Sequence, residues 1–136
     1  MEKKNDSLPQ NTLVMKYGGT SVGTIAAMQS AVKIICDTKA DRENLVVVTS
    51  AISGATNLLI KSATEAAQGN GLTAEKTARE LTLRHHEMID KLVQDPNQWL
   101  QLKMEINRLL SDFTNLCQAI KILGEFSPRA LDTVSS

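Results

Sequence analysis

The sequence predicts an α/β fold with parallel strands and a long helical hairpin. Two short apolar runs each end in a turn of small residues and lead into a helical pattern. A sustained seam of apolar residues, spaced alternately by three and four, fills much of the second half. Strand, crossover helix and strand in that order favour a parallel pairing.

Taken in order, Met1 to Asn11 is polar and carries Pro9, and is expected to be a disordered tail at residues 1–11. Thr12-Leu13-Val14-Met15-Lys16-Tyr17 is an apolar run of strand type, stopped by Gly18-Gly19. Thr20, Ser21 and Thr24 offer hydroxyls to cap a helix whose apolar positions include Ile25, Met28, Val32, Ile35 and Cys36. The charged stretch Asp37 to Asn44 reads as a connecting loop. Leu45-Val46-Val47-Val48 is the kind of run expected of a strand covered on both faces. It ends in Thr49-Ser50-Ala51-Ile52-Ser53-Gly54, and a helical pattern begins again near Ala55. These strand-turn-helix units occupy residues 12–67.

After the loop Gln68-Gly69-Asn70-Gly71, the positions Ala74, Ala78, Leu81, His85, Met88 and Leu92 form one helical seam. Asp95-Pro96 breaks it, because proline lacks the N–H and crowds the preceding turn. Trp99, Leu102, Ile106, Leu109, Phe113, Leu116, Ile120 and Leu123 form a second seam, so residues 73–123 read as a helical hairpin. Gly124 to Pro128 ends it, and residues 128–136 start a further helix. Two strands alone leave open edges, so residues 12–136 are expected to be an incomplete domain, prone to self-association.

Composition narrows the function. The 136 residues hold 15 basic and 15 acidic side chains, which gives no basic field for nucleic acid. No stretch approaches the ~18 consecutive apolar residues of a membrane span, and the start has no secretory pattern, so the cytoplasm is expected. Cys36 and Cys117 lie far apart in apolar helical patterns and read as buried thiols of a reducing compartment.

The chemistry is concentrated in the two strand-to-helix turns. Ligands of open α/β sheets bind beyond the carboxyl ends of the strands. Lys16-Tyr17-Gly18-Gly19-Thr20-Ser21 has the parts of a phosphate site: glycines that bare the backbone, hydroxyls that donate, and a lysine at the strand end. It matches neither the P-loop nor the dinucleotide glycine pattern, and a glycine pair after a strand also serves as an ordinary tight turn. The second turn, Thr49 to Asn57, suits either a carboxylate held by Ser50 and Thr56 or a plain helix cap.

Taken together, Lys16-Tyr17-Gly18-Gly19-Thr20-Ser21-Val22 and the later Val46 to Leu59 closely resemble the aspartate kinases of the amino-acid kinase superfamily. Ile122 to Ser136 resembles the segment that precedes a Gly-Glu pair in that family, and the likeness runs from Leu13 onward. The resemblance implies the N-terminal part of a carbamate kinase-like three-layer sandwich. It also implies transfer of the ATP γ-phosphoryl group to the side-chain carboxylate of L-aspartate. The product, 4-phospho-L-aspartate, opens lysine, threonine and methionine synthesis.

By position, the resemblance puts Lys16 against the ATP phosphates as the catalytic residue. Tyr17, Gly18, Gly19, Thr20 and Ser21 complete the phosphate cradle, and Ser50 and Thr56 contact aspartate. ATP enters with Mg²⁺, for which no ligand is assigned within this chain. A homo-oligomeric parent with C-terminal ACT regulatory domains is implied. The family's later motifs lie beyond Ser136, so the chain by itself is expected to be inactive.

Two other classes stay open. One is a kinase of glutamate, acetylglutamate or a nucleotide, against which the stretch Ser50 to Asn57 argues. The other is a non-catalytic interaction module that docks through the hairpin. Elsewhere, His86-Glu87-Met88-Ile89-Asp90 misses the zinc pattern H-E-x-x-H by its last residue. His85 reads as a seam histidine, and Trp99 and Phe113 read as core.

Overall fold

The computed structural model describes residues 11–135, so the expected tail lies outside it except for Asn11. Its elements are β1 (Thr12–Tyr17), α1 (Gly19–Val22), α2 (Ile25–Ala40), β2 (Asn44–Thr49), α3 (Ala55–Ala67), α4 (Leu72–Leu92), α5 (Pro96–Leu123) and α6 (Pro128–Ser135). They fall into two compact units, one ending at Ser53 and the other starting at Gly54.

In the first unit β1 and β2 pair in parallel, in register from Thr12 with Asn44 to Tyr17 with Thr49. Alternation puts Leu13, Met15, Tyr17, Leu45, Val47 and Thr49 on one face. Val14, Lys16, Val46 and Val48 lie on the other. Leu13, Met15 and Tyr17 are half-buried, while Val14 and Lys16 are exposed. Thr24 caps α2 as expected, its hydroxyl accepting from the Ala27 N–H at 3.2 Å.

Beside the loop expected from Asp37, where α2 instead runs on to Ala40, three expectations for this unit need correction. β2 is not covered on both faces: Val46, Val47 and Val48 are 40–46% exposed. Covering both faces takes a helical layer on each, and α2 is the one long helix in this unit. The second correction concerns the inner stripe of α2, which runs through Ala27, Met28, Ala31 and Ile35, with Ala31 fully buried and Val32 half out in solvent. Met28 and Ile35 face inward as expected, and Ala31 takes the covered place between them. The third is Cys36, which lies outside that stripe and is exposed, not buried.

The second unit is helical. Ala63, Ala66, Ala74, Phe113, Cys117, Ile120 and Val134 form its core, with Leu59, Ile60, Leu116 and Phe126 packed around them. Asp95 caps α5, accepting from the Gln98 N–H at 2.8 Å, with Pro96 in the first turn. Gly124 ends that helix in the left-handed conformation at φ 69°. The α4 seam is as expected through Ala74, Ala78, Leu81, His85, Met88 and Leu92, all buried or half-buried. His85 Nδ1 hydrogen-bonds the Leu81 carbonyl within the helix at 2.7 Å.

The α5 seam differs. Trp99, Ile106, Phe113, Leu116 and Ile120 face inward as expected, but Lys103, Leu110 and Cys117 join them. Leu102, Leu109 and Leu123 are 43%, 47% and 72% exposed. α5 packs on α3 as well as α4, and the two neighbours draw the covered stripe one position round the helix. Trp99 is also not plain core. It is half-buried, donates from Nε1 to Asp90 at 2.7 Å, and carries Lys103 Nζ 4.1 Å above its ring. Lys103 also bridges Asp90 at 2.6 Å. Hydrogen bonds from Lys103 and then Trp99 hold the Asp90 carboxyl below its ordinary range.

Candidate functional site

β1 delivers Lys16 and Tyr17 to the carboxyl end of the strand pair, and the chain turns there through Gly18 into α1. Lys16 is exposed and makes no salt bridge among the described residues. Gly18 is extended at φ −82° and ψ 174°, open to any residue, and a Cβ there would meet nothing within 4 Å. Neither conformation nor packing among the described residues requires glycine there. What its lack of a side chain does is bare the backbone.

Within α1, Thr20 and Ser21 are exposed, and the Ser21 N–H donates to the Gly18 carbonyl at 2.9 Å. No side chain caps the start of α1 at Gly18. Thr20 and Ser21 are therefore not the capping residues their position suggested; Thr24 accepts that bond for the next helix. Their hydroxyls, the bare Gly18 backbone and the Lys16 ammonium are all donors or positive charge. That donor set suits an anion.

The second turn starts where the sheet register ends. One residue beyond the last strand pair, the Ser50 N–H donates to the Tyr17 carbonyl at 3.1 Å. This bond ties the first residue of the second turn to the end of β1. Ser50 Oγ donates to the Ala51 carbonyl at 2.9 Å and is exposed. Backbone atoms of Ala51 and Ser53 lie against Gly19: a Cβ on that glycine would stand 3.2 Å from the Ala51 carbonyl oxygen and 3.3 Å from Ser53 Cα. Close backbone approach accounts for glycine at 19, as it does not at 18.

Lys16, Tyr17, Gly18, Gly19, Thr20, Ser21 and Ser50 thus share one compact unit. Thr56 belongs to the other, half-buried in the first turn of α3. The plain helix-cap reading of Ser50 and Thr56 fails on geometry. The residue before α3 is Gly54, left-handed at φ 80°, with no side-chain cap bond. Thr56 sits inside the helix, and the Ser50 hydroxyl is turned to Ala51. The neighbours of this turn that sequence reasoning passed over are Gly23 and Ser53, which adjoin Gly19. Their one visible sign was a second glycine four residues after the first.

The turns from Lys16 to Gly23 and from Thr49 to Asn57 contain no Asp or Glu. Among the described residues, no group of three or more His, Cys, Asp or Glu is placed to hold a metal ion. The turns supply amides, hydroxyls and a lysine, which fits phosphate or carboxylate, and they offer Mg²⁺ no carboxylate ligand. Among the described residues no helix is long and apolar enough to cross a membrane.

The model of the Amino acid kinase family matches residues 11–126, which takes in both turns and most of the helical unit. The chain belongs to the amino acid kinase family. Across 144 aligned residues, covering the whole chain, it is 28% identical to the aspartokinase of Saccharomyces cerevisiae (strain ATCC 204508 / S288c). That is distant homology, and the chain spans 27% of the length of this curated relative. The matched stretch makes phosphoryl chemistry the frame in which Lys16 and the glycine turn are to be read.

Proposed function

We propose that this family member serves as part of an aspartate kinase. In that reaction a side-chain carboxylate oxygen of L-aspartate attacks the γ-phosphorus of ATP. The bond from that phosphorus to the β–γ bridging oxygen breaks, ADP leaves, and 4-phospho-L-aspartate forms. The observation that carries the reading is Gly18: its bare backbone stands beside the uncompensated Lys16 at the end of β1.

In this reading Lys16 neutralises charge on the transferred phosphoryl group, and the backbone and hydroxyls of Gly18 to Ser21 hold the phosphates. Phosphoryl transfer depends chiefly on position and charge, so such groups supply most of what the protein must provide. Mg²⁺ accompanies ATP and screens its phosphates, with protein ligands outside these two turns. Ser50 and Thr56 donate to the α-carboxylate or the reacting carboxylate of aspartate. The failure of the helix-cap alternative supports that role, as does the similarity to an aspartokinase.

Titration of Mg-ATP into the purified chain, followed by calorimetry, tests the phosphate site. Saturable binding is expected, and Lys16→Ala should weaken it by about tenfold or more without a change in melting temperature. Equal binding by the variant removes Lys16 from the site. Thr56→Val tests the acceptor: affinity for aspartate should fall while that for Mg-ATP holds, because valine keeps the shape and removes the hydroxyl. Glutamate binding better than aspartate would move the reading to another kinase of the family.

A further inference from the structure

Gly23 is a glycine that its own dihedral angles do not ask for. At φ −81° and ψ −12° it lies in ordinary right-handed space, open to any residue. Yet a Cβ there would stand 2.6 Å from the Gly19 carbonyl oxygen, 3.0 Å from Ser53 Cβ and 3.4 Å from Ser53 N. Residues four apart share a face of a helical turn, and Gly19 meets the same segment: its own Cβ would stand 3.4 Å from Ser53 N. Ala51 to Ser53 therefore rest on a surface made by two missing side chains. At the other end, the Ser50 N–H is tied to the Tyr17 carbonyl at 3.1 Å. Gly18, by contrast, has nothing within 4 Å of its would-be Cβ. The glycines of this region thus divide in two: one left bare, two serving as a seat.

We propose that Gly23 is a positioning residue. By carrying no side chain it lets the second turn seat on α1, and so fixes Ser50 relative to Lys16 and the Gly18–Ser21 turn. The proposal rests on reading these turns as one phosphoryl-transfer site. A side chain at 23 meets the Gly19 carbonyl and Ser53 together, so it both strains the α1 turn and acts as a wedge against Ser53. It pushes Ser50 away from Tyr17 and loosens the constellation without touching any ligand. Catalytic and binding groups misplaced by about 1 Å lose on the order of a hundredfold, so a displacement of several tenths of an ångström should cost roughly tenfold.

The experiment compares the isotope-labelled chain with its Gly23→Ala and Gly23→Val variants by amide hydrogen exchange and by NMR titration with Mg-ATP. In the unsubstituted chain, amides of both turns should shift along one binding curve. In Gly23→Val the Ser50 amide should exchange faster before any ligand is added. Affinity for L-aspartate, titrated in the same way, should then fall roughly tenfold while the melting of the helical unit stays put. Gly23→Ala should fall between the two. Ser50 exchange unchanged in Gly23→Val overturns the proposal, as does faster exchange with full affinity, which would leave Gly23 a merely structural glycine. If valine prevents folding, alanine carries the comparison, and an alanine variant identical to the parent in both readouts overturns it. Absence of any Mg-ATP shift in the parent chain defeats the phosphoryl reading instead, and exchange at Ser50 then decides the spacing role by itself.

Discussion

From Gly54 on, α3, α4, α5 and α6 bury Ala63, Ala66, Phe113, Cys117 and Ile120 against one another. Before it, β1 and β2 leave Val14, Val46 and Val48 between 40% and 50% exposed. Most of the residues proposed to hold phosphate lie in this less enclosed unit. The helices have what a core needs: several neighbours per element and an apolar stripe on each. The strand pair has ladder bonds and a close-packed pair of turns, but little area removed from water. Fold stability and chemistry are thus concentrated on different stretches of chain, and substitutions should separate them.

The largest separation is expected between Phe113 and Val47. Phe113→Ala removes a ring that is 8% exposed, and should lower stability by about 3–5 kcal/mol in urea unfolding followed by helical circular dichroism. Val47→Ala, on the open strand pair, should cost less than about 1 kcal/mol in the same measurement. Comparable losses would mean that the strands are as well covered as the helices.

A smaller effect should come from the polar pair inside the helical core. Ser62 and Thr77 are 0% and 4% exposed, and their hydroxyls meet at 2.8 Å between α3 and α4. Ser62→Ala leaves the Thr77 hydroxyl buried without that partner and should cost about 1–3 kcal/mol. Removing both hydroxyls, by Ser62→Ala with Thr77→Val, should restore much of it. A double variant as unstable as the sum of the singles would show that the pair is not coupled.

The finest test is the pH dependence of stability. Burial pushes the Cys117 thiol up to about 11. Its folded value thus exceeds the unfolded one, so the unfolded chain gives up its proton first. Stability from this group is whole below the ordinary thiol range near ~8.5 and drains away as pH rises through about 11. Cys117→Ala should flatten that alkaline slope, read as the urea midpoint against pH. An alkaline slope that persists unchanged in Cys117→Ala would overturn the assignment.

The strands, the hairpin, the break at Asp95-Pro96 and the last helix at Pro128 were legible in the residues, with both turns in the right place. Periodicity and breakers are local, and local patterns survive whatever packs on them. Apart from the caps at Thr20 and Ser21 and the end of α2, what misled was a question of which side a neighbour covers. Leu102 and Leu109 suited an inward seam as well as Lys103 and Leu110 did, until α3 joined α4 against α5. Cys36 and Val32 suited the α2 stripe on spacing alone, but folding turns Ala31 inward and leaves both of them exposed.

In the site the division is the same. Residue types alone determined a lysine at a strand end, a glycine pair behind it and hydroxyls in two turns, because those choices follow from the chemistry of holding an anion. Only tertiary structure decided which glycine does what. Gly18 stands bare, whereas Gly19 and Gly23 carry the backbone of Ala51 to Ser53. It also decided that Ser50 is tied back to Tyr17 and that Thr56 is no helix cap. The physical reason is that a missing side chain reads alike in sequence whether it makes room for a ligand or for the chain itself, and only the neighbour brought there by folding tells the two apart.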